Sequence, residues 1–336
     1  MKYETLADAL ELKARWLYDA RRRPHVRIRD FAAEYGVSEA QLLALKCGET
    51  VTRLSGDWKR VVLRFPELGP CMALTRNEAV VSEIKGSYRE AQFFDGGVGQ
   101  IVDERIDLRL FMNRWHYGFA VEEEGKDGAV RRSLQFFDAD GTAVHKVYPE
   151  SGEGFDKIKA DFRSDDQSPY QAVSAPALPA ESKSLSELDV EGFLRGWAEL
   201  KDTHDFFALL RKYGFRRLQA LEAATGRFAW PASPEVLVKV LEAVGRVHVP
   251  VMVFVGSPGV IQIYSGNICN TLPLERDGLR WFNVLDDAFN LHVREDLIAR
   301  VFWVQKPTSD GTVTSLEAFD GDDNLVVQLF GKRKPG

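Results

Sequence analysis

The feature that most restricts how this chain can fold is an internal duplication. The sequence reads SLQFFD at 133–138 and SLEAFD at 315–320, 182 residues later, and both copies continue into a turn with Gly and Asp and an alternating strand. The stretch 72–86 (MALTRNEAVVSEIKG) parallels 252–266 (MVFVGSPGVIQIYSG) at an offset of 180 residues. Because the offset is nearly constant, the sequence predicts two copies of one unit of about 150 residues, not a short solenoid repeat.

The length of the chain agrees with this duplication. At roughly 150 residues per domain, 336 residues correspond to about two domains. Residues 163–184 (RSDDQSPYQAVSAPALPAESKS) are rich in Ser, Pro, Ala and acidic residues and lack periodicity, which is typical of a linker. We therefore expect an N-terminal repeat at 1–162, a linker at 163–184 and a C-terminal repeat at 185–336.

Helical patterns come before strand patterns in each repeat. Helices are predicted at 6–18, 28–35 and 38–46 in the first repeat, and at 186–200, 203–213, 218–224 and 233–245 in the second. Asp202 or Thr203 is expected to cap the helix that ends at Gly214. Asp-Gly pairs at 127–128, 140–141, 310–311 and 320–321 predict hairpin turns. The predicted fold class is α+β, with two tandem structural repeats, each made of helices followed by a large antiparallel β-sheet.

Composition and motifs exclude several classes of protein. The longest apolar stretch, 249–255, is far shorter than the roughly 20 residues of a membrane span. The N-terminus is amphipathic and contains acidic residues, unlike a secretory signal. A net charge of −6 counts against general nucleic-acid binding, and Cys47, Cys71 and Cys269 are spaced as reduced thiols. We expect a cytoplasmic protein without membrane insertion. The sequence has no Gly-rich nucleotide loop, G-x-S-x-G or H-E-x-x-H motif.

His204 is the most informative of the six histidines. It lies near a predicted helix start, and Phe207 follows three positions later on the same helix face. A neutral imidazole with apolar aromatic neighbours suits a haem iron. The residues alone leave two interpretations open, because a histidine near a helix start is also commonly a capping or surface residue.

A second group of residues suits a flat anionic ligand. In a strand at 107–111, Leu108 and Leu110 would face a core, while Arg109 and Phe111 would share the other face. A cross-strand ion pair on a solvated sheet explains the same pattern. Further donors that suit carboxylates are Arg217 after the His204 helix, Lys306 at the start of a predicted turn, Gln328 on a strand face with Phe330, and Arg333. Taken singly, each is equally a solvated side chain.

A basic cluster, Arg21-Arg22-Arg23, precedes a helix–turn–helix-like segment at 28–46. Such a segment can contact DNA. The acidic balance of the chain and the frequency of ordinary helical hairpins count against this interpretation, which stays the weakest one.

Six motifs occur in a fixed order along the chain: DLRLFMNRW (107–115), SLQFFD (133–138), DTHDFF (202–207), VMVFVG (251–256), KPTSDG (306–311) with TSLE (314–317), and QLFG (328–331). Together they resemble the HemS/ChuS-like family of bacterial cytoplasmic hemin-transport and hemin-degrading proteins. The resemblance covers nearly the whole chain and both repeats.

The resemblance implies a haem b (hemin) cofactor and assigns site residues. It implies that His204 is the proximal iron ligand, that Arg109 is the distal-side residue with Phe111 nearby, and that further contacts surround the porphyrin and its propionates. These further residues are Arg217, Lys306, Gln328, Phe330 and Arg333. Phe330 stands where the family commonly has Tyr, so one hydroxyl is lost. His292 stands in the second repeat where Arg109 stands in the first, which implies one haem cleft per chain.

The resemblance implies one of two related functions. In the first, the protein is a carrier of bacterial haem uptake, which takes hemin from a haem-importer partner and hands it to a haem oxygenase. In the second, the protein opens the haem ring itself for iron acquisition. In the second case Arg109 would have a catalytic role, and electrons would come from an external reductant, because the sequence has no flavin or nicotinamide motif.

Overall fold

The structure is a computed structural model and describes residues 3–125, 128–176, 183–276 and 278–332. The α-helices are α1 (Leu6–Arg22), α2 (Ile28–Tyr35), α3 (Glu39–Ala44), α4 (Trp58–Val62), α5 (Glu153–Asp161), α6 (Val190–Ala198), α7 (Asp205–Tyr213), α8 (Arg217–Ala223) and α9 (Val236–Val247).

The strands of the first half are β1 (Val51–Leu54), β2 (Pro70–Arg76), β3 (Val80–Ser87), β4 (Gln92–Phe93), β5 (Val98–Ile101), β6 (Asp107–Phe111), β7 (Tyr117–Glu124), β8 (Val130–Phe137) and β9 (Ala143–Pro149). Those of the second half are β10 (Ala229–Ala232), β11 (Val251–Gly256), β12 (Val260–Gly266), β13 (Thr271–Arg276), β14 (Leu279–Leu285), β15 (Phe289–Arg294), β16 (Arg300–Thr308), β17 (Gly311–Phe319) and β18 (Leu325–Gly331).

The chain forms two compact units. One contains Met1–Arg76, Glu83–Ala177 and Ser257–Gln262, and the other contains Asn77–Ser82, Leu178–Gly256 and Ile263–Gly336. We call them the N-terminal and C-terminal units. The predicted boundaries at residues 162 and 184 stay predictions.

The two units repeat one antiparallel arrangement. Strands of the N-terminal unit are ordered β1-β7-β8-β9-β2, with β4-β5-β6 as a second group of neighbours. Strands of the C-terminal unit are ordered β10-β16-β17-β18-β11, with β13-β14-β15 as the matching second group. In each unit three helices precede the first strand, whereas α4 and α9 follow that strand and α5 follows β9. The predicted α+β class with tandem repeats and large antiparallel sheets is confirmed.

The helices α3 and α8 occupy equivalent places and begin in a similar way. Ser38 and Gln41 form a capping box before α3, and before α8 the side-chain oxygen of Gln219 accepts from the backbone N–H of Arg216 at 3.4 Å. Glu39 and Arg217 are therefore equivalent first residues of their helices.

Several helix boundaries differ from the predicted ones: α1 continues past 18 to Arg22, α6 begins at Val190 and not at 186, and the start of α7 and the end of α9 differ for identifiable reasons. His204 itself occupies the N-cap position of α7, where Asp202 or Thr203 was expected, although the Asp202 carboxylate accepts the backbone N–H of His204 at 2.8 Å. Helix α9 begins at Val236 and continues past Gly245 to Val247. The buried Gly245 packs against Ile268 and Thr271, so this glycine serves close packing and does not end the helix.

The hairpin turns follow the predicted Asp-Gly pairs in part. Gly141 and Gly311 have positive φ values of 82° and 112°, as such turns require. At 320–321 the left-handed residue is instead Asp323, with φ 66°, because the Asp320 carboxylate accepts the N–H groups of Asp322 and Asn324 and shifts the turn. Asp127 lies outside the described residues.

The first part of the predicted linker is held against the N-terminal unit. Arg53 on β1 is the main contact: its Nη2 donates to the carbonyls of Ser168 and Tyr170 at 2.8 and 2.9 Å, and its Nη1 donates to Gln171. The ring of Tyr170 stacks on Tyr3 with 5.3 Å between centroids. Residues 163–176 therefore form an ordered strap and not a free connection.

Removing the Arg53 side chain is expected to release this strap. Arg53→Ala loses three donated hydrogen bonds, each contributing about 1 kcal/mol, so the local opening constant should rise by at least roughly tenfold. Chymotrypsin cleavage after Tyr170 measures the opening. Arg89→Ala is the matched control, because Arg89 is 73% exposed and its ion pair within the described ranges is with Asp103 at 3.3 Å. Equal cleavage rates in the two variants would contradict the assignment.

Candidate functional site

The start of α7 places His204 on the surface of the C-terminal unit. The His204 side chain is 86% exposed, and its Nδ1 lies 2.6 Å from Oδ1 of Asp202. Among the residues described, Nε2 has no hydrogen-bond partner. The imidazole thus presents one engaged nitrogen and one open nitrogen.

The exposed face of α7 continues from His204 as a mixed apolar and cationic stripe. Phe207, three residues on, is 62% exposed, and Ala208 is exposed beside it. The Arg211 guanidinium lies over the Phe207 ring, 5.0 Å from its centroid. Residues spaced by three, four and seven share one helix face. A largely exposed Phe ring beside an imidazole whose Nε2 is open suits a flat, largely apolar ligand.

The opposite face of α7 fixes the helix in the core. Phe206 is buried and packs edge-on against Trp197 with 4.5 Å between centroids. Leu209 and Leu210 are also buried in this cluster. Burying such aromatic and aliphatic side chains contributes on the order of 2 kcal/mol each. His204 therefore stands at the start of a helix whose buried face is anchored in the core.

A buried carboxylate, Glu317, gathers three of the predicted site residues. Arg217 donates to it through Nε at 2.7 Å and Nη2 at 2.8 Å, and Lys306 Nζ donates at 3.0 Å. Gln328 Nε2 and Ser315 Oγ donate to the same Glu317 at 3.0 and 3.1 Å. We call these five residues the Glu317 cluster.

Burial and pairing set the charges in this cluster. Burial alone would raise the pKa of Glu317, but Arg217 and Lys306 outweigh it and hold that pKa well below its usual range. Burial lowers the pKa of Lys306, and Glu317 opposes the shift. Glu317 is thus ionised beside two cations, and the cluster has an excess of one positive charge. Both cations also lie over the Phe206 ring, at 4.7 Å for Lys306 and 5.3 Å for Arg217.

The structure corrects the expected environment of Lys306. The predicted turn at 306–311 is shorter, because β16 runs to Thr308 and pairs there with Gly311. Lys306 is consequently a strand residue, only 3% exposed, and not a solvated turn residue. Arg217, which is 23% exposed, is the cation of the cluster that a ligand carboxylate can reach more readily.

Arg109 and Phe111 lie on β6 of the N-terminal unit. The predicted alternation is observed, with Leu108 and Leu110 buried and Arg109 and Phe111 half-buried. Arg109 Nη1 donates to the Asp107 carboxylate and to the Leu108 carbonyl, the latter at 3.2 Å. Burial raises the pKa of Asp107, and Arg109 partly offsets this. The ion pair joins two residues of one strand and not neighbouring strands.

The last two predicted residues lie at the end of the second repeat. Phe330 is half-buried on β18, and its ring contacts that of Phe254 with 5.0 Å between centroids. Arg333 lies outside the described residues.

The N-terminal unit has an equivalent group of inverted charge. Gln135 pairs across strands with Lys146, as Glu317 does with Gln328. On the neighbouring strand, Phe119 lies opposite Gln135 in the first repeat and Phe302 lies opposite Glu317 in the second, so Phe119 and Phe302 are equivalent. Glu123 comes four residues after Phe119 and Lys306 four residues after Phe302, so these two charged residues are equivalent as well. The Lys146 ammonium donates to Glu39, the counterpart of Arg217.

This comparison gives opposite charge balances. The first group holds the acids Glu39 and Glu123 with the base Lys146, whereas the second holds two bases with one acid. Glu39 and the other charges around Lys146 outweigh burial and raise the pKa of Lys146. An anionic ligand is therefore favoured at the second group and disfavoured at the first.

The helix–turn–helix-like segment is not arranged for DNA contact. All six residues of α3, the second helix of the pair, are buried, whereas a recognition helix must be exposed to enter a groove. Arg23 is paired with Glu34 at 2.8 Å. The structure thus provides no support for the DNA interpretation.

Two residues of the site were missed or left unassigned by the sequence reasoning. Asp202 was considered only as a helix cap, although its position two residues before His204 allows a carboxylate–imidazole contact. Glu317 was seen only as part of a repeated motif. The difference between Gln135 and Glu317 at matching positions was the available signal, because it places an acid beside predicted cations.

No helix in the described part of the chain has the length and apolarity needed to cross a membrane.

Comparisons with known proteins bear on the family and on the two-repeat fold. The sequence profile of the family described as "Haemin-degrading HemS.ChuX domain" matches residues 36–164 and again residues 214–336. The chain is 34% identical over 314 residues to the hemin transport protein HemS of Yersinia enterocolitica, covering 92% of this chain and 88% of that protein.

Two crystal structures extend the comparison. The chain resembles holo-PhuS, a heme-binding protein from Pseudomonas aeruginosa, with a TM-score of 0.92 and 43% identity, covering 98% of this chain and 94% of that one. It resembles ChuS, described as an E. coli heme oxygenase, with a TM-score of 0.83 and 29% identity, covering 97% and 94%. With both repeats matched by the profile and nearly full-length relatives, the chain belongs to the haemin-degrading HemS/ChuX family.

Proposed function

We propose that this chain is a cytoplasmic haem-binding protein of bacterial haem uptake, which carries hemin and releases it to haem degradation for iron acquisition. His204 would be the iron ligand. The observation that carries the proposal is the exposed face of α7, where the open Nε2 of His204 lies beside Phe207 on a helix fixed by its buried side. Neutral imidazole is a common haem ligand, and when bound, haem would supply the redox-active iron.

The residues of the C-terminal unit fit an anionic porphyrin. An open imidazole nitrogen suits the iron, and the exposed Phe207 ring suits the porphyrin face. The excess positive charge of the Glu317 cluster suits a propionate, and Arg217 is its more accessible cation. Gln328 and Lys306 would act mainly through Glu317, because both donate to it. Phe330 would offer a ring without a hydroxyl.

Haem degradation by the chain itself is the second candidate. It is favoured by the description of the family as haemin-degrading and of ChuS as a heme oxygenase. Hemin titration with reductant and catalase present separates the two functions. A green or yellow product with iron release supports degradation, whereas a stable Soret band and transfer of haem to an added haem oxygenase support the carrier.

His204→Ala is expected to abolish the Soret spectrum of histidine-ligated haem. It should also weaken hemin binding by more than about 100-fold, because loss of a residue that only contacts a metal ligand already costs about 10- to 100-fold. Titration with hemin followed by absorbance measures this. Arg109→Ala is the companion variant and is expected to alter the spectrum while binding persists, because the resemblance gives Arg109 a role other than ligand. An unchanged spectrum and affinity in His204→Ala would refute the ligand assignment.

A further inference from the structure

We propose that Asp202 is the positioning residue of His204, which holds the imidazole proton on Nδ1 and leaves Nε2 as the nitrogen that ligates iron. This inference deepens the proposed function and rests on it for the iron. The Asp202–His204 contact itself can be tested without any ligand. Its consequence is that the ligand nitrogen is selected before haem arrives.

The geometry around Asp202 fixes the imidazole relative to the backbone. Oδ1 of Asp202 accepts from Nδ1 of His204 at 2.6 Å and from the backbone N–H of the same residue at 2.8 Å. Two bonds from one carboxylate oxygen to one residue close a small ring of atoms. The turn at 202–205 is held by a backbone hydrogen bond, in which the Asp205 N–H donates to the Asp202 carbonyl at 3.2 Å, and α7 follows directly.

The donor and acceptor roles follow from the chemistry of the two groups. An ionised carboxylate only accepts hydrogen bonds, and a neutral imidazole has a single N–H. At 2.6 Å the contact is a short charge-assisted hydrogen bond, so Nδ1 carries the proton. Nε2 then keeps its lone pair, and it has no partner among the described residues. An exposed histidine without such a neighbour would be free to exchange tautomers and rotate.

The carboxylate also affects the strength of a bond to iron. A carboxylate that accepts the second N–H of a metal-bound imidazole orients the ring and makes it a stronger donor. Loss of such a partner typically weakens metal affinity by about 10- to 100-fold. Asp202 contacts Nδ1 and would not itself touch an iron bound at Nε2, so its role is positioning and not ligation.

The first arm of the test uses the protein without haem. In the full chain labelled with ¹⁵N-histidine, the His204 nitrogens are assigned by their absence in His204→Ala. We expect the wild type to show the single Nδ1–H tautomer and Asp202→Ala to show a mixture. Asp202→Asn should retain the tautomer, because its side-chain oxygen can still accept from Nδ1. A tautomer mixture in the wild type would overturn the proposal.

The second arm uses hemin as the probe. Asp202→Ala is expected to bind hemin about 10- to 100-fold more weakly and to lower the ferrous iron–histidine stretching frequency in the resonance Raman spectrum. Asp202→Asn should restore affinity in part but not the frequency, because the charge is gone. Asp205→Asn is the matched control: Asp205 is an exposed acid in the first turn of α7, and none of its described contacts involves the imidazole. It should change neither readout.

The outcomes separate the two proposals. If the wild type binds no hemin, the proposed function fails, and the tautomer measurement still decides whether Asp202 holds His204. If hemin binds through His204 while Asp202→Ala leaves the tautomer, the affinity and the stretching frequency unchanged, the positioning role fails and the proposed function survives. Equal effects of Asp202→Ala and Asp205→Asn would also refute the positioning role, because they would indicate a general effect of negative charge near α7.

Discussion

Replacement of Glu317 by glutamine is expected to lower the free energy of unfolding by about 3–5 kcal/mol, the range typical of a buried charge that has lost its partner. Glu317 is fully buried and accepts hydrogen bonds from both Arg217 and Lys306. Glutamine keeps the shape of the side chain but removes its charge. Two cations would then remain together, one of them only 3% exposed.

Lys306→Met is the informative comparison for this prediction. It removes one cation and leaves Arg217 bonded to Glu317 through two hydrogen bonds, so the remaining pair is neutral. We expect a clearly smaller loss of stability than in Glu317→Gln, and partial recovery in the double variant. Urea unfolding of the three variants gives the coupling energy. Equal losses in both single variants, with no coupling, would show that the charges of this cluster do not act together.

The second large effect is the expected pH dependence of stability at His145 in the N-terminal unit. His145 is fully enclosed, and burial lowers its pKa to about 3. Its neighbours require a neutral ring. The Thr75 hydroxyl donates to Gln262 at 3.0 Å and so accepts from Nδ1 at 2.9 Å, while the Tyr88 hydroxyl donates to Nε2 at 2.7 Å.

The sign of this effect follows from proton binding. Below a pH of about 6.5 the unfolded chain protonates this histidine, whereas the native state does not until the pH approaches 3. Stability from this group is therefore complete above pH 6.5 and is lost as the pH falls through the window between the two values. A shift of this size corresponds to roughly 5 kcal/mol over the whole window, of which about 3 kcal/mol is lost by pH 4.5.

Urea unfolding at pH 7 and at pH 4.5 measures this loss. Carboxyl groups also titrate in this range, so the stability lost between the two pH values is compared in the wild type and in His145→Gln. The variant is expected to be less stable at pH 7 but to lose about 3 kcal/mol less on acidification. The same pH slope in both proteins would mean that His145 is protonated in the native state and that its enclosed network is not neutral.

The fold was largely predictable because its signals are local or repeated. Helix caps such as Ser38, the alternation of Leu108 and Leu110, and Asp-Gly turns are short-range patterns with direct physical causes. The nearly constant offset between matching patterns then indicated that they belong to two copies of one unit. Where a prediction missed, a neighbouring contact overrode the local preference, as when Asp320 moved the left-handed residue of its turn to Asp323.

The candidate site was predictable only where its residues are close in sequence. His204 and Phe207 share a helix face by spacing alone, so both could be found. Glu317 and Arg217 are 100 residues apart, and no local pattern shows that they meet. Lys306 resembled a turn residue because Pro, Thr, Ser, Asp and Gly follow it, yet strand pairing carries it into the interior.

The opposite charges of the two repeats also restrict how the duplicated copies can evolve. Positions 39, 123, 135 and 146 of the first copy would all have to change to reproduce the second. Positions 39, 135 and 146 are buried, and changing one of them alone leaves an unbalanced charge. Glu39→Arg places two cations together, Lys146→Gln leaves Glu39 without its cation, and Gln135→Glu puts a second acid beside the single cation Lys146. A first step at any of these three buried positions costs several kcal/mol. Selection against these intermediates keeps the copies distinct, so the specialisation of the halves is self-preserving.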